Sequence, residues 1–214
     1  MSQPTLKAAM IPVTPFQQNC TLLWCTETNR GVVIDPGGNI DSIMDAVAKT
    51  GVTVEKIVLT HGHIDHAGGA AELKERLGVD IEGPHEADLF LLQTLEQTGR
   101  GYGIAGLRNV VPDRWFNEGD VLQVGNQRFD VRHAPGHSPG SVVFVNPENK
   151  LAIVGDVLFA GSIGRTDLPG GDHGTLLRSI RDKLMPLEDD YVFICGHGPA
   201  STIGQERASN PFLR

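Results

Sequence analysis

Short apolar runs bounded by turn residues divide the first part of the chain and predict β-strands. The runs cover residues 6–13, 20–25 and 31–34, and the third ends in Asp35-Pro-Gly-Gly. Polar residues and prolines separate the first two runs. Strands that follow one another this closely favour an antiparallel sheet.

Apolar residues at helical spacing come next along the chain. Ile40, Ile43 and Val47 fall on one face of a predicted helix, for which Asn39 is a candidate N-cap and Gly51 a stop. Beyond this helix the pattern predicts a strand at 56–60, a helix from about 67 to 77, a short strand at 79–82 and a helix at 86–95.

A second run of strands fills the later part of the chain. The pattern predicts strands at 121–124, 127–133, 141–145 and 151–154, then a helix at 173–185, a strand at 191–195 and a short helix at 203–209. Two strand-rich halves with helices outside them predict an α/β (α+β) sandwich built in layers.

Residues 98–112 carry no hydrophobic period, because four glycines alternate there with polar and aromatic residues. We expect an irregular loop in this segment. Loops of this length inside compact domains are often functional, so the segment is either a lid near a site or a solvated connector.

Composition limits the classes of partner. The chain has 214 residues and a net charge of −8, with scattered lysines and arginines, which argues against nucleic-acid binding. Three cysteines without paired spacing fit a reducing interior. Residues 1–7 do not open a signal peptide, and the roughly 18 consecutive apolar residues of a membrane span are missing. We therefore expect one soluble, cytoplasmic domain covering residues 1–214, with no membrane partner.

Four potential metal ligands follow the apolar run Ile57-Val-Leu59. They are His61, His63, Asp65 and His66, and Gly68 and Gly69 lie just beyond them. At a strand end, alternate side chains point the same way, so His61 and His63 can converge on one ion while Asp65 and His66 turn toward a second. The alternative is a histidine-rich surface turn or a set of core histidines. Four ligands within six residues make that alternative improbable.

Three more potential ligands end later predicted strands, each in a turn that contains glycine. They are His137, Asp156 and His197. Two ions with three protein ligands each and one shared carboxylate need seven donors, and these three complete that number. Imidazole and carboxylate donors favour two divalent ions of zinc, with iron or manganese as alternatives.

The His-x-His-x-Asp-His motif and its three later partners resemble those of the metallo-β-lactamase fold hydrolases, and among them the glyoxalase II-like thioesterases. The resemblance extends from Asp35 to His197. It implies a four-layer αββα sandwich with two metals at one edge. It also implies that one ion is held by His61, His63 and His137, the other by Asp65, His66 and His197, and that Asp156 bridges them.

Hydrolysis is the reaction that this donor set favours. Two ions hold a hydroxide and polarise a carbonyl together, and Asp65 is the candidate catalytic residue that orients the nucleophile or relays a proton. Asp35 is expected to shape its own turn and, by the resemblance, to contact the metal loop. Cys195 is expected to be a small core residue, and His85, His133 and His173 are not expected to be ligands.

Arg165 is the only cation in the glycine-rich segment 159–172, which we expect to line the site. An acidic protein that takes an anionic substrate needs such a group, so Arg165 is a candidate substrate-binding residue. The alternative, a salt bridge to Asp167 or Asp172 that holds the loop, has equal weight.

The resemblance implies a glyoxalase II activity, the hydrolysis of a glutathione thioester such as S-lactoylglutathione. Two departures favour a weaker hold on glutathione or another thioester. Only 17 residues follow His197 (214 minus 197), where full-length glyoxalase II has a further helical region, and the last histidine lies in Gly-His-Gly-Pro. An iron persulfide dioxygenase, which shares a stretch like Gly164–Asp167, is the main alternative. A lactone substrate and a metal-stabilised domain without activity are the others.

Overall fold

The first half of the chain builds a five-stranded sheet. A computed structural model describes residues 5–213. The strands of this sheet lie in sequence order: β1 (Leu6–Val13), β2 (Gln18–Cys25), β3 (Arg30–Ile34), β4 (Thr53–Val58) and β5 (Asp80–Glu82). The first three are antiparallel, as predicted, but β3 pairs with β4, and β4 with β5, in parallel. The sheet is therefore mixed, because helices return the chain between its last strands.

The second half builds a six-stranded sheet. Its strands are β6 (Val121–Val124), β7 (Gln127–His133), β8 (Val142–Asn146), β9 (Leu151–Gly155), β12 (Val192–Cys195) and β13 (Ser201–Thr202), in the spatial order β13-β12-β9-β8-β7-β6. Between β9 and β12 a two-stranded hairpin, β10 (Leu158–Phe159) and β11 (Ser162–Ile163), occupies the glycine-rich segment.

Seven α-helices of the described residues accompany the sheets. They are α1 (Ile40–Thr50), α2 (Ile64–Ala67), α3 (Ala70–Leu77), α4 (Leu89–Leu92), α5 (Leu95–Gly101), α6 (His173–Ser179) and α7 (Ile203–Ser209). Within residues 5–213, no helix combines the length and apolar character that a bilayer crossing requires.

Neighbouring residues of the strands pack into different apolar clusters, which shows how the layers form. In β8, Val142 and Phe144 face a cluster between the sheets, whereas Val143 and Val145 face a cluster that includes residues of α6 and α7. In β3, Val32 likewise faces the middle cluster and Val33 the one under α1 and α3. Side chains alternate across a strand, so both faces of both sheets are covered. The predicted layered sandwich is confirmed.

Several predicted helix limits are wrong. The helix expected from Ala67 begins at Ala70 and is preceded by the separate turn α2, and the one expected at 86–95 is a 3₁₀ turn followed by α4. Asn39 precedes α1 but has a φ of 51° and does not cap it. Its Oδ1 instead accepts a hydrogen bond from the amide of Thr14 at 2.7 Å. The helix expected at 173–185 becomes π-helical from Ile180.

Candidate metal centre

All seven predicted ligands lie together at one edge of the sandwich. They follow the ends of four strands: β4 precedes His61–His66, β7 precedes His137, β9 precedes Asp156 and β12 precedes His197. Asp65 and His66 lie in the short helix α2, and the others lie in loops. Because β9 and β12 are parallel, Asp156 and His197 emerge at the same edge. The pairing of strands therefore brings donors from four distant parts of the chain into one place.

Three histidines form the first group of donors. His137 Nε2 lies 3.2 Å from His61 Nε2 and 2.9 Å from His63 Nδ1. These three nitrogens lie within 4.8 Å of one another, a spacing at which they could hold one ion. The same three residues were predicted to share an ion.

Asp65, His66 and His197 form the second group. His197 Nε2 lies 3.1 Å from Asp65 Oδ2, and His66 Nε2 lies 3.9 Å from the same oxygen. The His197 loop is fixed by the first sheet, because the side chain of Asn19 donates hydrogen bonds to the carbonyls of Cys195 and Gly198. This group also matches the predicted set.

Asp156 lies between the two groups. Its Oδ2 is 3.6 Å from His137 Nε2 in the first group and 3.5 Å from His197 Nε2 in the second. Its Oδ1 is 3.3 Å from His66 Nε2. One carboxylate thus reaches both groups, which is the position that a bridging ligand would take.

Hydrogen bonds behind the histidines orient their rings. His66 Nδ1 donates to Asp35 Oδ2 at 2.8 Å, and His137 Nδ1 donates to the carbonyl of Arg165 at 2.8 Å. The hydroxyl of Thr60 donates to Asp35 and accepts from His61 Nδ1. With the protons on Nδ1, the Nε2 lone pairs of these three rings face the donor groups.

Asp35 also lies within ligand distance of His61 and His66. Its two oxygens, however, already accept hydrogen bonds from the amide of Thr60 at 2.7 Å, from the hydroxyl of Thr60 at 2.6 Å and from His66. The predicted contact with the metal loop is therefore present. The other predicted role is not: the side-chain hydrogen bonds described for Asp35 go to Thr60 and His66, and its own turn is closed by the backbone carbonyl of Asp35, which accepts from the amide of Gly37.

Unpaired polar atoms support an ion at this place. His66 Nε2 and Asp156 Oδ1 are buried and lack a hydrogen-bond partner among the described residues. Buried polar atoms normally have partners, because an unsatisfied one costs roughly 1–3 kcal/mol. Five imidazoles and two carboxylates are a donor set that suits zinc, iron or manganese. The residues present therefore fit divalent metal ions.

The pKa values of the histidines shift in opposite directions in the two groups: they fall at His61 and His63 and rise at His66 and His197. Burial lowers the pKa of His61 well below its ordinary value, and the neighbouring imidazoles lower it further. Burial and His137 likewise lower the pKa of His63 to about 3. These histidines stay neutral, as metal-binding imidazoles must be.

Carboxylates reverse this effect in the second group. Burial lowers the proton affinity of His66, but the charges of Asp156 and Asp65 outweigh it and raise the pKa well above the ordinary value. The pKa of His197 is also raised, because its hydrogen bond to Asp65 and the charge of Asp156 outweigh burial. Burial raises the pKa of Asp65, but the charge of His66 and the bond to His197 lower it overall.

Asp88 is a buried residue that the sequence analysis did not single out. Its Oδ2 accepts from the amide of Gly62, between His61 and His63, at 2.8 Å and from the hydroxyl of Ser138 at 2.7 Å. Its Oδ1 accepts from the amide of Gly140. One carboxylate thus ties together the two loops that carry the first group. Asp88 lies in an ordinary helical pattern, so no signal in one sequence marks it.

Glycines let the loops approach the ligands. A Cβ added to Gly196 would lie 2.0 Å from Asp156 Oδ1 and 2.5 Å from His66 Cε1. A Cβ on Gly164 would lie 1.9 Å from the carbonyl oxygen of Asp156. Any side chain at these positions would displace the donors, which explains the glycines beside them.

A cleft of about 720 Å³ opens over the donor groups. Its floor includes His63, Asp65, His137, Asp156 and His197, and the predicted glycine-rich segment lines one wall. Arg165 also lines the cleft, but its guanidinium donates two hydrogen bonds of 2.7 Å to the carboxylate of Asp167. The structure thus contains the predicted salt bridge and places it at the cleft.

The segment 98–112 contributes to the same cleft. Its first residues belong to α5, so the prediction of an irregular loop is wrong up to Gly101. Thr98 and Tyr102 line the cleft, which places this segment beside the donor groups.

The remaining histidines and Cys195 lie outside the donor groups. His85 and His133 stack with ring centroids 4.1 Å apart, and His85 Nδ1 accepts from the amide of Ala87 at the start of a 3₁₀ turn. His173 is the first residue of α6. Cys195 is buried, and its thiol donates to the carbonyl of His197.

Residues 13–197 match the model of the metallo-β-lactamase superfamily. The chain belongs to this superfamily. It is a metallo-hydrolase of the superfamily, and the αββα layers and the edge position of its donor groups are those that the resemblance implied.

Relatives of this metallo-β-lactamase superfamily member share its whole length. Hydroxyacylglutathione hydrolase GloC of Haemophilus influenzae is 48% identical, over 95% of this chain and 96% of its own. Among solved structures, BLEG-1 B3 metallo-β-lactamase is 36% identical with a TM-score of 0.88, covering 97% of this chain and 99% of its own. TTHA1623 in a di-iron-bound form is 38% identical with a TM-score of 0.87, covering 96% and 100%.

Proposed function

We propose that this metallo-hydrolase cleaves a glutathione thioester of the S-lactoylglutathione kind. One observation carries the proposal: two groups of three donors, with Asp156 between them, form the floor of an open cleft. The 48% identity to a hydroxyacylglutathione hydrolase over nearly the whole chain supports the substrate class.

The donor groups have separate roles in this proposal. His61, His63 and His137 would hold one ion, Asp65, His66 and His197 would hold the other, and Asp156 would contribute to both. Two divalent ions bound there, zinc by donor type, would supply Lewis acidity toward a carbonyl and lower the pKa of water.

Asp65 is positioned to handle the proton of the attacking water. Its carboxylate lines the cleft, and its pKa is lowered overall, so it is an anionic acceptor at neutral pH. Its Oδ2 lies beside His197 Nε2, which fixes the plane of the carboxylate. In this role Asp65 orients the nucleophile and accepts its proton while the cleft holds the thioester carbonyl above the floor.

Hydrolysis of S-lactoylglutathione by protein loaded with zinc, iron or manganese tests the proposal. Activity should require the ligands, so His137→Gln should lose it while retaining the fold. His173→Gln is the matched control, because His173 lies outside both donor groups. A protein with two ions per chain that cleaves neither this thioester nor other acyl-glutathiones would refute the proposal, and activity on a lactone alone would replace it.

A persulfide dioxygenase is the second candidate. His137 Nε2 lies 3.2 Å from His61 Nε2 and 3.6 Å from Asp156 Oδ2, so two histidines and one carboxylate could hold a single iron. Oxygen uptake with glutathione persulfide by the iron-loaded protein, without thioester hydrolysis, would favour it.

A further inference from the structure

Three exposed aromatic side chains surround the mouth of the cleft. We call Phe16, Phe90 and Tyr102 the aromatic rim; they are 41%, 42% and 60% exposed. They come from the β1–β2 turn, from α4 and from the residue after α5. Phe16 and Tyr102 meet edge to face, with ring centroids 5.7 Å apart. Exposed apolar groups gathered around one opening indicate a binding surface rather than chance exposure.

Apolar residues continue from the rim into the cleft. The lining contains six aliphatic side chains: Ile64, Leu91, Leu95, Ile163, Leu168 and Pro169. The metal donors form the floor, and the other polar residues of the lining are Thr94, Thr98, Ser162 and Arg165. A small molecule that reacts at the floor must therefore place its neighbouring atoms against an apolar wall.

The charges of the residues that line the cleft also favour an apolar group in the substrate. Of the described residues that line it, Arg165 is the only lysine or arginine, and Asp167 already pairs with it. Glutathione carries two carboxylates, for which the cleft offers no further cation. Binding energy specific to one substrate must therefore come largely from an apolar group.

Phe90 occupies the position with most influence on such a group. Its neighbour Leu91 packs against the metal loop, since a Cβ on Gly62 would lie 2.9 Å from Leu91 Cβ. A Cβ on Gly170 would lie 3.3 Å from Phe90 Cζ, so the ring reaches the glycine-rich segment. Phe90 thus lies at the cleft beside this segment and next in sequence to the residue that packs against the metal loop.

We propose that the cleft selects thioesters of 2-hydroxy acids that carry a bulky apolar substituent, aryl or branched alkyl, and that Phe90 is the residue that determines this preference. The inference depends on the proposed thioester hydrolysis. It adds that a methyl group, as in lactoyl, fills the apolar wall less well than a phenyl group does.

Two substrates that differ only in this group test the inference. S-mandeloylglutathione replaces the methyl of S-lactoylglutathione with a phenyl ring and keeps the hydroxyl and the thiol. The metal-loaded protein should show a kcat/KM roughly tenfold higher for the mandeloyl ester, at the low end of discrimination by a hydrophobic pocket because the rim is half exposed. A ratio of one or below would refute the inference.

Variants at position 90 assign the preference. Phe90→Ala should reduce the ratio of the two kcat/KM values to about twofold, because the mandeloyl ester loses more apolar contact than the lactoyl ester, whereas Phe90→Leu should retain most of the ratio. Phe212→Ala is the matched control, because Phe212 is 46% exposed and does not line the cleft. Melting temperatures show that each variant folds. An unchanged ratio in folded Phe90→Ala would show that Phe90 does not determine the preference.

Failure of the proposed function would give a different result. If neither thioester is cleaved, the thioesterase proposal fails, and binding of the two acids to the metal-loaded protein by calorimetry still tests the apolar wall. Mandelate should then bind several-fold more tightly than lactate, and Phe90→Ala should remove the difference. Equal binding would overturn the inference by itself.

Discussion

The floor and the rim of the cleft differ in the burial of their side chains and in how those side chains are held in place. At the floor, His61 and His66 are buried, and hydrogen bonds to Thr60 and Asp35 fix their rings. At the rim, Phe16, Phe90 and Tyr102 are about half exposed, and the arginine there pairs with a neighbour two residues away. The reacting groups are held by buried partners whose close packing prevents independent movement. Substrate choice depends instead on exposed side chains, which can be substituted without disturbing the fold.

Substitution of Asp156 should have the largest effect on the floor and so tests its role most directly. Asp156→Ala removes the carboxylate that lies between both donor groups and should lower kcat/KM more than about a hundredfold, because loss of partners behind the ligands alone costs roughly 10–100-fold. Metal content should fall below two ions per chain. Asp45→Ala, at an exposed position of α1, is the control. Retention of both ions and of activity would contradict the bridging role.

Substitution of Asp88 tests whether a residue that does not contact the metal site positions the loops of the floor. Asp88→Asn keeps the size but places an amide where a carboxylate accepts hydrogen bonds from Gly62, Ser138 and Gly140. We expect metal affinity and activity to fall about tenfold, within the range known for residues that support metal ligands. Ser138→Ala should have a smaller effect. Metal titration gives the result, and unchanged affinity in a folded variant would contradict the role.

Lowering the pH should release metal from the two donor groups of the floor at different pH values. His66 and His197 have raised pKa values, so a proton competes for their metal-binding nitrogens at a higher pH than it does at His61 and His63, and this competition grows as pH falls. His61 and His63 have lowered pKa values, about 3 for His63, and therefore stay unprotonated to a much lower pH. Dialysis at decreasing pH should therefore release the ion of Asp65, His66 and His197 first.

Variants identify which ion leaves. After His197→Gln, the more acid-sensitive ion should already be missing, and the remaining one should stay bound to lower pH. After His137→Gln, the remaining ion should be lost at a higher pH than the ion that remains after His197→Gln. Release of both ions together from the unaltered protein would contradict the difference between the groups.

Arg165 should give the smallest effect. Arg165→Gln should raise the KM for a glutathione thioester a few-fold with little change in kcat or melting temperature, because exposed ion pairs contribute little to stability. Asp167→Asn, which frees the guanidinium, should lower that KM. An unchanged KM in both variants would show that Arg165 only holds its own loop.

The chain pattern located most elements but not their exact limits. The helix at 203–209 was predicted at its observed bounds, and the strands at 121–124 and 127–133 likewise. The hairpin of β10 and β11 was missed, since two-residue strands in a glycine-rich segment leave no periodic signal. The parallel pairing of β3 with β4 was also missed, because pairing direction depends on where the intervening helix packs.

The sequence by itself determined the chemistry of this protein. Histidine and carboxylate donors at fixed offsets from strand ends are a local pattern, so seven candidate donors could be predicted without coordinates, and the structure brings all of them together. Only the tertiary structure revealed the buried Asp88 carboxylate behind the first group and the aromatic rim around the cleft. These features join residues from distant segments that share no spacing along the chain, and only packing between the segments brings them into contact.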